Sequence, residues 1–155
     1  MSKSLKRVEA ALRAAGTEPD IREVGQARTA AEAAEAAGVS IDQIVKSIIF
    51  RGESSGHVVL FLTAGGNRVS AQKASAAAGQ PLGKADADLI RAETGFAIGG
   101  VSPVGHLTPV QTFWDPRLDD FGEIWAAAGT PRHIFRTTPA ELRRITGAVP
   151  ADFTE

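Results

Sequence analysis

Apolar residues recur along the chain at two spacings, and each spacing predicts a different element. Near the amino terminus they follow the three- and four-residue spacing of one helix face, at Leu5, Val8, Ala11, Leu12 and Ala15. Ser4 before this run and Gly16 after it are typical start and stop signals. The pattern therefore predicts a first helix between Ser4 and Gly16.

Further helices are predicted from capping residues. Thr29 and Glu32 have the spacing of a capping box, and Gly38 is suited to the left-handed conformation that ends a helix, so a helix is expected at Ala30–Ala37. The same signals predict helices at Ala71–Ala78, from Asp86 through residue 93, and between Thr138 and Gly147, with one helical turn at 40–43.

Runs rich in β-branched and aromatic residues predict the strands. Residues 44–50 and 57–63 are two such runs, and the polar turn at 51–56 between them predicts a hairpin. Further strands are expected at 110–114 and 124–128, with the last at 133–137. Helices and strands are interspersed and no linker is recognisable, so we expect one α/β domain, 1–155, with a mixed sheet and helices packed against it.

Composition narrows the possible chemistry. The 155 residues include no cysteine, which excludes a disulfide framework, a Cys-ligated zinc site and a thiolate nucleophile, and indicates a reducing, cytoplasmic location. The amino terminus is amphipathic without a long apolar run, so neither a signal peptide nor a membrane span is expected. A net charge of −1 argues against broad wrapping of nucleic acid but is compatible with contact at one nucleic-acid end. Short basic clusters are interpreted as solvated faces, namely Lys3, Lys6 and Arg7, and Arg143 with Arg144.

Lys46 is the first candidate for a functional side chain. In a strand it shares a face with Ile44, Ile48 and Phe50, which are apolar. Its methylene stem could simply cover apolar surface and carry the ammonium into water. Alternatively, the ammonium points into a cleft and holds an oxygen atom of a ligand. Spacing alone leaves both interpretations open.

The glycine-rich loop 99–105 is the second candidate. Its three glycines allow the backbone to approach a ligand closely, although ordinary tight loops have the same composition. Ser102 is not expected to be a nucleophile, because Pro103 favours an extended backbone where a strained elbow is required.

The histidines and acids give weaker signals. His57, His106 and His133 lie far apart in the sequence and do not form a metal-binding pair, so no metal site is expected. An acidic cluster after residue 114 is interpreted as solvated caps rather than a general acid and base, and comprises Asp115, Asp119, Asp120 and Glu123.

Together these segments resemble the YbaK family of aminoacyl-tRNA editing domains, which includes free-standing deacylases and the editing insertion of bacterial prolyl-tRNA synthetases. The resemblance spans nearly the whole chain. It is carried by Ile-Val-Lys-Ser-Ile at 44–48, the glycine-rich segment at 95–105, and Ala-Ala-Gly at 127–129 before the closing helix.

The resemblance implies a mixed, largely antiparallel sheet surrounded by helices, and a hydrolase that uses neither a cofactor nor a metal. The lysine matching Lys46 is essential in the family and contacts the aminoacylated terminal adenosine. The matching loop cradles that adenosine, at Gly99, Gly100, Val101, Ser102 and Pro103, and the glycine matching Gly129 lines the amino-acid pocket. Water and the adenosine 2′-hydroxyl are implied to take part in the reaction.

The implied substrate is a mischarged tRNA, with proline tRNA carrying alanine, cysteine, serine or 2-aminobutyrate as the expectation. The implied partners are the aminoacylated 3′ end of tRNA and prolyl-tRNA synthetase, with no membrane, and the chain is expected as a monomer or a homodimer. The alanine-specific branch of the family has asparagine after the matching lysine, and Ser47 departs from that pattern. His133 receives no role. A non-catalytic module that binds tRNA ends or a synthetase, and a hydrolase of another small ester or amide, are the alternatives.

Overall fold

The helices begin and end at the residues that their caps require. The computed structural model describes residues 2–155, so Met1, the first residue of the predicted domain 1–155, lies outside the described residues. Within residues 2–155 there are five α-helices: α1 Lys3–Ala14, α2 Ala30–Ala37, α3 Ala71–Ala78, α4 Ala87–Thr94 and α5 Pro139–Thr146. A 3-10 turn at Ile41–Gln43 confirms the single helical turn predicted there.

The predicted cap of α2 is confirmed and that of α1 is wrong. The Thr29 hydroxyl accepts a hydrogen bond from the Glu32 amide at 3.1 Å, and Gly38 ends the helix at a φ of 73°. In α1 the capping residue is Ser2, whose hydroxyl accepts from the Leu5 amide at 3.0 Å. Ser4, the predicted start, already lies inside the helix, where a cap with extended backbone has no place.

Eight strands make up the sheet among residues 2–155: β1 Ile21–Glu23, β2 Ile44–Gly52, β3 Val58–Ala64, β4 Leu82–Lys84, β5 Gln111–Trp114, β6 Ile124–Ala127, β7 His133–Thr137 and β8 Val149–Pro150. The longer ones were predicted. The short strands β1, β4 and β8 were not predicted, because two or three residues are too few to show an alternation. The prediction that 133–137 is the last strand is wrong for the same reason.

The sheet is mixed, as predicted. Its strands lie in the order β1-β7-β6-β2-β3-β5-β8, with β4 paired to β2 off this path. Antiparallel pairing joins β1 with β7, β6 with β7, and β2 with both β3 and β4, whereas β2–β6, β3–β5 and β5–β8 are parallel. The predicted hairpin is confirmed, since β2 and β3 pair antiparallel along seven residue pairs.

Helices pack on both faces of this sheet. On one face, apolar residues of α1, α4 and α5 pack against the strands, with Leu12, Ile90 and Leu142 almost fully buried. On the other face α2 covers Trp125 on β6, and α3 covers the β3–β5 region. Every residue of β3 is buried, which makes this strand the centre of the core. Within residues 2–155, no helix is long and apolar enough to cross a membrane.

One edge of β2 is only partly paired, and this gap positions the site. Along one edge β3 pairs with residues 45–51 of β2. Along the other edge, β6 pairs with Ile44 and Val45, and β4 pairs with 50–52. Between these two strands, no strand of the described chain pairs with 46–49 on that edge. Four residues of strand span about 13 Å, so the sheet has an opening next to Lys46.

Candidate active site

A cavity of about 820 Å³ occupies this opening. Its walls include the open segment of β2, the adjoining ends of β4 and β6, the start of α2, and parts of two loops. The lining includes Lys46, Ser47, Ile49, Gly99, Val101 and His133. The cavity therefore brings a lysine, an open strand edge and a glycine-bearing loop together.

Lys46 is half-buried and its ammonium is held in a fixed place. Nζ donates a hydrogen bond to the backbone oxygen of Asn67 at 2.5 Å, in the turn that follows β3. Burial lowers the pKa of Lys46 from its ordinary value of 10.5, and the positive charge of Arg68 lowers it further, while Asp115 and Asp42 act in the opposite direction. The amine is thus a partly desolvated cation in the cavity wall, where its charge is less screened than in water.

The turn that holds Lys46 is itself anchored by Asp115. One carboxylate oxygen accepts from the Ala64 amide at 3.0 Å and from Nδ2 of Asn67 at 2.9 Å, and the other accepts from the Arg117 amide at 3.0 Å. Asp115 is only 3% exposed, so the interpretation of this residue as a solvated cap is wrong. It caps the turn after β5, but its second oxygen lies inward, where two donors replace water.

The predicted glycine loop supplies part of the cavity wall. Gly99 and Val101 line the cavity, whereas Gly100, Ser102 and Pro103 are buried outside its lining. The Gly100 amide donates to the Ala97 oxygen at 3.1 Å, so this donor is already used within the loop. A Cβ at Gly100 would lie 3.0 Å from Cα of Thr130, which explains the need for glycine there.

Gly129 lies behind the cavity rather than in its wall. It is buried, has a φ of +95°, and a Cβ there would lie 2.8 Å from the Ser4 oxygen and 3.2 Å from the Phe96 ring. The next residues of this loop, Thr130 and Pro131, do line the cavity. The backbone at Gly129 thus lets α1 approach the segment that carries them.

Arg7 on α1 fixes the glycine loop from behind. Its Nε donates to the Gly105 oxygen at 2.9 Å and one terminal nitrogen donates to the Gly95 oxygen at 2.7 Å. The guanidinium also lies over the Phe96 ring, 4.5 Å from its centre. One side chain thereby holds both ends of 95–105. The interpretation of Arg7 as part of a solvated basic face is wrong, because the local sequence contains no signal for contacts made about 90 residues away.

Two histidines lie near the loops of the site. Nε2 of His106 is 2.7 Å from the Ser102 oxygen, and burial lowers the pKa of His106, so it donates from a neutral ring. Nδ1 of His133 is 2.7 Å from the Thr130 hydroxyl at the cavity wall. Among residues 2–155, no group of histidines and acids is arranged to hold a metal ion.

The chain is similar in sequence and structure to several known proteins. Residues 24–145 match the model of the aminoacyl-tRNA editing domain. A solved structure described as a candidate trans-editing enzyme for prolyl tRNA synthetase is 47% identical, with a TM-score of 0.93 over 100% of this chain and 99% of that one. The hypothetical protein APE2540 is 31% identical, with a TM-score of 0.86 over 96% of this chain and 99% of that one. The Bacillus subtilis (strain 168) protein YwhH is 31% identical over 144 residues, which is 92% of this chain and 91% of that protein.

The fold and the domain match together define a hydrolase of the aminoacyl-tRNA deacylase class. The chain belongs to the aminoacyl-tRNA editing domain family, which confirms the resemblance seen in its motifs. The expected fold class is confirmed as well, by the mixed sheet and by the match to the 47% identical structure.

Proposed function

We propose that this protein acts in trans on proline tRNA that carries a small wrong amino acid: alanine, cysteine, serine or 2-aminobutyrate. The observation that carries the proposal is the half-buried ammonium of Lys46 in the wall of an 820 Å³ cavity that Gly99 and Val101 also line. The 47% identical structure described as a candidate trans-editing enzyme for prolyl tRNA synthetase supports proline tRNA and a synthetase partner.

In this proposal Lys46 is the catalytic residue that contacts the substrate. A water molecule attacks the ester carbonyl carbon, the bond between that carbon and the ribose oxygen breaks, and the ribose oxygen takes up the proton released by the water. The products are a free amino acid and an uncharged tRNA. The ammonium of Lys46 is suited to hold an oxygen that becomes more negative in the transition state. The adenosine 2′-hydroxyl is the proposed partner of the attacking water.

The glycine loop would hold the terminal adenosine. In this proposal Gly99 and Val101, which line the cavity, contact the substrate. The buried residues Gly100, Ser102 and Pro103 set the shape of the loop. Gly129 would act through the position of Thr130 and Pro131. No metal ion or cofactor is required by these steps.

The cavity lining favours selection by size. The lining includes small side chains from the start of α2 and the segment before it, at Ala27, Ala30, Ala31 and Ala33. The lining also includes Ile48 and Ile49 of β2. An apolar site of this kind accepts what is small enough and gains only about 1 to 3 kcal/mol for each methylene. This limited gain fits a site that removes several small amino acids.

The test is a deacylation assay with proline tRNA charged separately with alanine, cysteine, serine, 2-aminobutyrate and proline. We expect release of one or more of the small amino acids and little release of proline. Removal of the terminal 2′-hydroxyl should slow the reaction strongly. Binding of charged tRNA without release of any amino acid would instead identify a non-catalytic binding module. Cleavage of free aminoacyl esters at the same rate would identify a general esterase.

Three further predictions accompany this proposal: one functional domain over 1–155, a cytoplasmic location where tRNA is charged, and a monomer or a homodimer. Gel filtration of the protein alone and with prolyl-tRNA synthetase tests the last of these and the proposed synthetase partner.

A further inference from the structure

The open edge of β2 presents backbone groups to the cavity. Alternate residues of a strand direct both their N–H and C=O groups toward the same edge. The Gly52 amide donates to the His57 oxygen at 2.9 Å, across the hairpin to β3. By alternation, Phe50, Ile48 and Lys46 also direct their backbone groups toward β3.

Ser47 and Ile49 therefore direct theirs toward the opposite edge. The hydrogen bond from the Glu53 amide to the Pro81 oxygen, at 2.9 Å on the β4 side, confirms this phase for the odd-numbered residues. Since β6 ends its pairing at Val45 and β4 begins at Phe50, no strand within residues 2–155 pairs with Ser47 or Ile49 there. Both residues line the cavity.

A second observation at the same place also calls for a partner. The hydroxyl oxygen of Ser47 is buried and has no hydrogen-bond partner among the described residues. Buried polar groups in native proteins are nearly always paired, so each exception calls for an explanation, such as a catalytic role. At Ser47 one N–H and one C=O therefore lie on the open edge, and a buried hydroxyl without a partner lies beside them.

An aminoacyl ester has the matching groups. Its α-amino group donates and its carbonyl oxygen accepts, and the two are separated by one Cα, as in a residue of a β-strand. An antiparallel partner residue would exchange the same two hydrogen bonds with Ser47 or Ile49. Within the described sheet, the missing strand at this edge leaves these bonds unmade.

We propose that the aminoacyl group of the substrate pairs with the open edge of β2. Its amino group donates a hydrogen bond to the C=O of Ser47 or Ile49, and its carbonyl oxygen accepts one from the N–H of the same residue. This inference rests on the proposed deacylase function and adds to it the recognition of the α-amino group. The hydrogen bond from this N–H also polarises the ester carbonyl next to Lys46. This hydrogen bond strengthens as negative charge develops on the carbonyl oxygen.

The first test compares alanyl-tRNA with its des-amino analogue, propionyl-tRNA, and divides each enzymatic rate by the spontaneous hydrolysis rate of the same ester. Loss of the amino group should lower the normalised kcat/KM by about 10- to 100-fold, as expected for a hydrogen bond to a charged group. Equal normalised values for the two substrates would overturn the inference while leaving the deacylase function intact. Failure to hydrolyse alanyl-, cysteinyl-, seryl- and 2-aminobutyryl-tRNA would contradict the proposed function instead.

The second test replaces single backbone amides by esters, which removes one N–H and leaves the side chain unchanged. Replacement at Ser47 or at Ile49 should lower kcat/KM by about tenfold in at least one of the two proteins, with little change in melting temperature. The matched control is Ile48, whose N–H pairs with β3, so its replacement should lower the melting temperature. Unchanged kinetics at both Ser47 and Ile49 would overturn the inference.

Discussion

At the scale of single residues, the site depends on a lysine whose ammonium is partly buried in the cavity wall. The strand pattern around Lys46 left its role open, and the family resemblance favoured a role in the site; the cavity beside it agrees with that second interpretation. Its backbone acceptor, Asn67, was not predictable, because it lies 21 residues away across a turn.

The lowered pKa of Lys46 predicts a specific pH dependence. The ammonium should lose its proton below the ordinary value of 10.5, so its contribution to substrate binding is present at low pH and is lost as the pH rises through the lowered pKa. Between the folded and unfolded pKa values the unfolded chain binds more protons, so stability rises with pH across that window. The ¹³Cε shift of Lys46, followed by NMR against pH, measures this. A midpoint at or above 10.5 would contradict the assignment.

Gly129 offers a second test at this scale. Substitution Gly129→Ala should reduce the free energy of unfolding by about 1–3 kcal/mol, because alanine at this positive φ is strained and its Cβ would lie 2.8 Å from the Ser4 oxygen. The control is Gly122→Ala, which meets no atom within 4 Å and should change stability by at most about 0.5 kcal/mol. Denaturant unfolding distinguishes the two, and equal stabilities would show that the close approach of α1 is unimportant.

At the scale of elements, the local sequence predicts the ends of a helix better than it predicts short strands. The caps of α2 were predicted to the residue, since Thr29 and Gly38 satisfy backbone groups within the adjoining turn. The short strands β1, β4 and β8 depend on their partners and have no local pattern. Because β4 was not predicted, the open edge of β2 between β6 and β4 could not be predicted either.

The contact between α1 and the glycine loop gives a prediction for an element. A lysine cannot reproduce the guanidinium fork that reaches both Gly95 and Gly105, so Arg7→Lys should lower kcat/KM by about tenfold. Arg7 acts here as a positioning residue, and guanidinium ion added to Arg7→Ala should restore part of the activity. The control on the same helix is Arg13→Ala, which removes an exposed ion pair with Glu18. Full activity of Arg7→Lys would contradict a positioning role.

At the scale of the whole molecule, the cavity exists because the chain brings distant segments to one gap in the sheet. The family match begins at residue 24, yet the side chain that fixes the glycine loop comes from α1, before that match. Asp115 similarly connects β5 to the turn after β3, 51 residues earlier, and through Asn67 to Lys46.

Asp115→Asn tests this long-range connection. An amide has one acceptor oxygen and would place its own NH₂ group against backbone donors, so the free energy of unfolding should fall by about 1–3 kcal/mol. The kcat/KM for deacylation should fall as well, because the turn that holds Lys46 loses its anchor. Asp120→Asn is the control, since the Asp120 side chain forms an exposed ion pair with Arg117 and does not contact the turn after β3 among residues 2–155. Thermal unfolding and single-turnover kinetics of both variants measure the difference.

The central claim is that the Lys46 ammonium contacts the substrate within this cavity. Single-turnover deacylation of mischarged proline tRNA by Lys46→Met tests it most directly. The control is Lys73→Met, which removes an exposed ion pair with Asp152 and an exposed hydrogen bond to the Thr154 oxygen. We expect the Lys46 variant to fold normally and to lose about 100-fold or more in rate, while the control keeps its rate. A folded Lys46→Met protein that deacylates as fast as the unmodified protein would contradict the account.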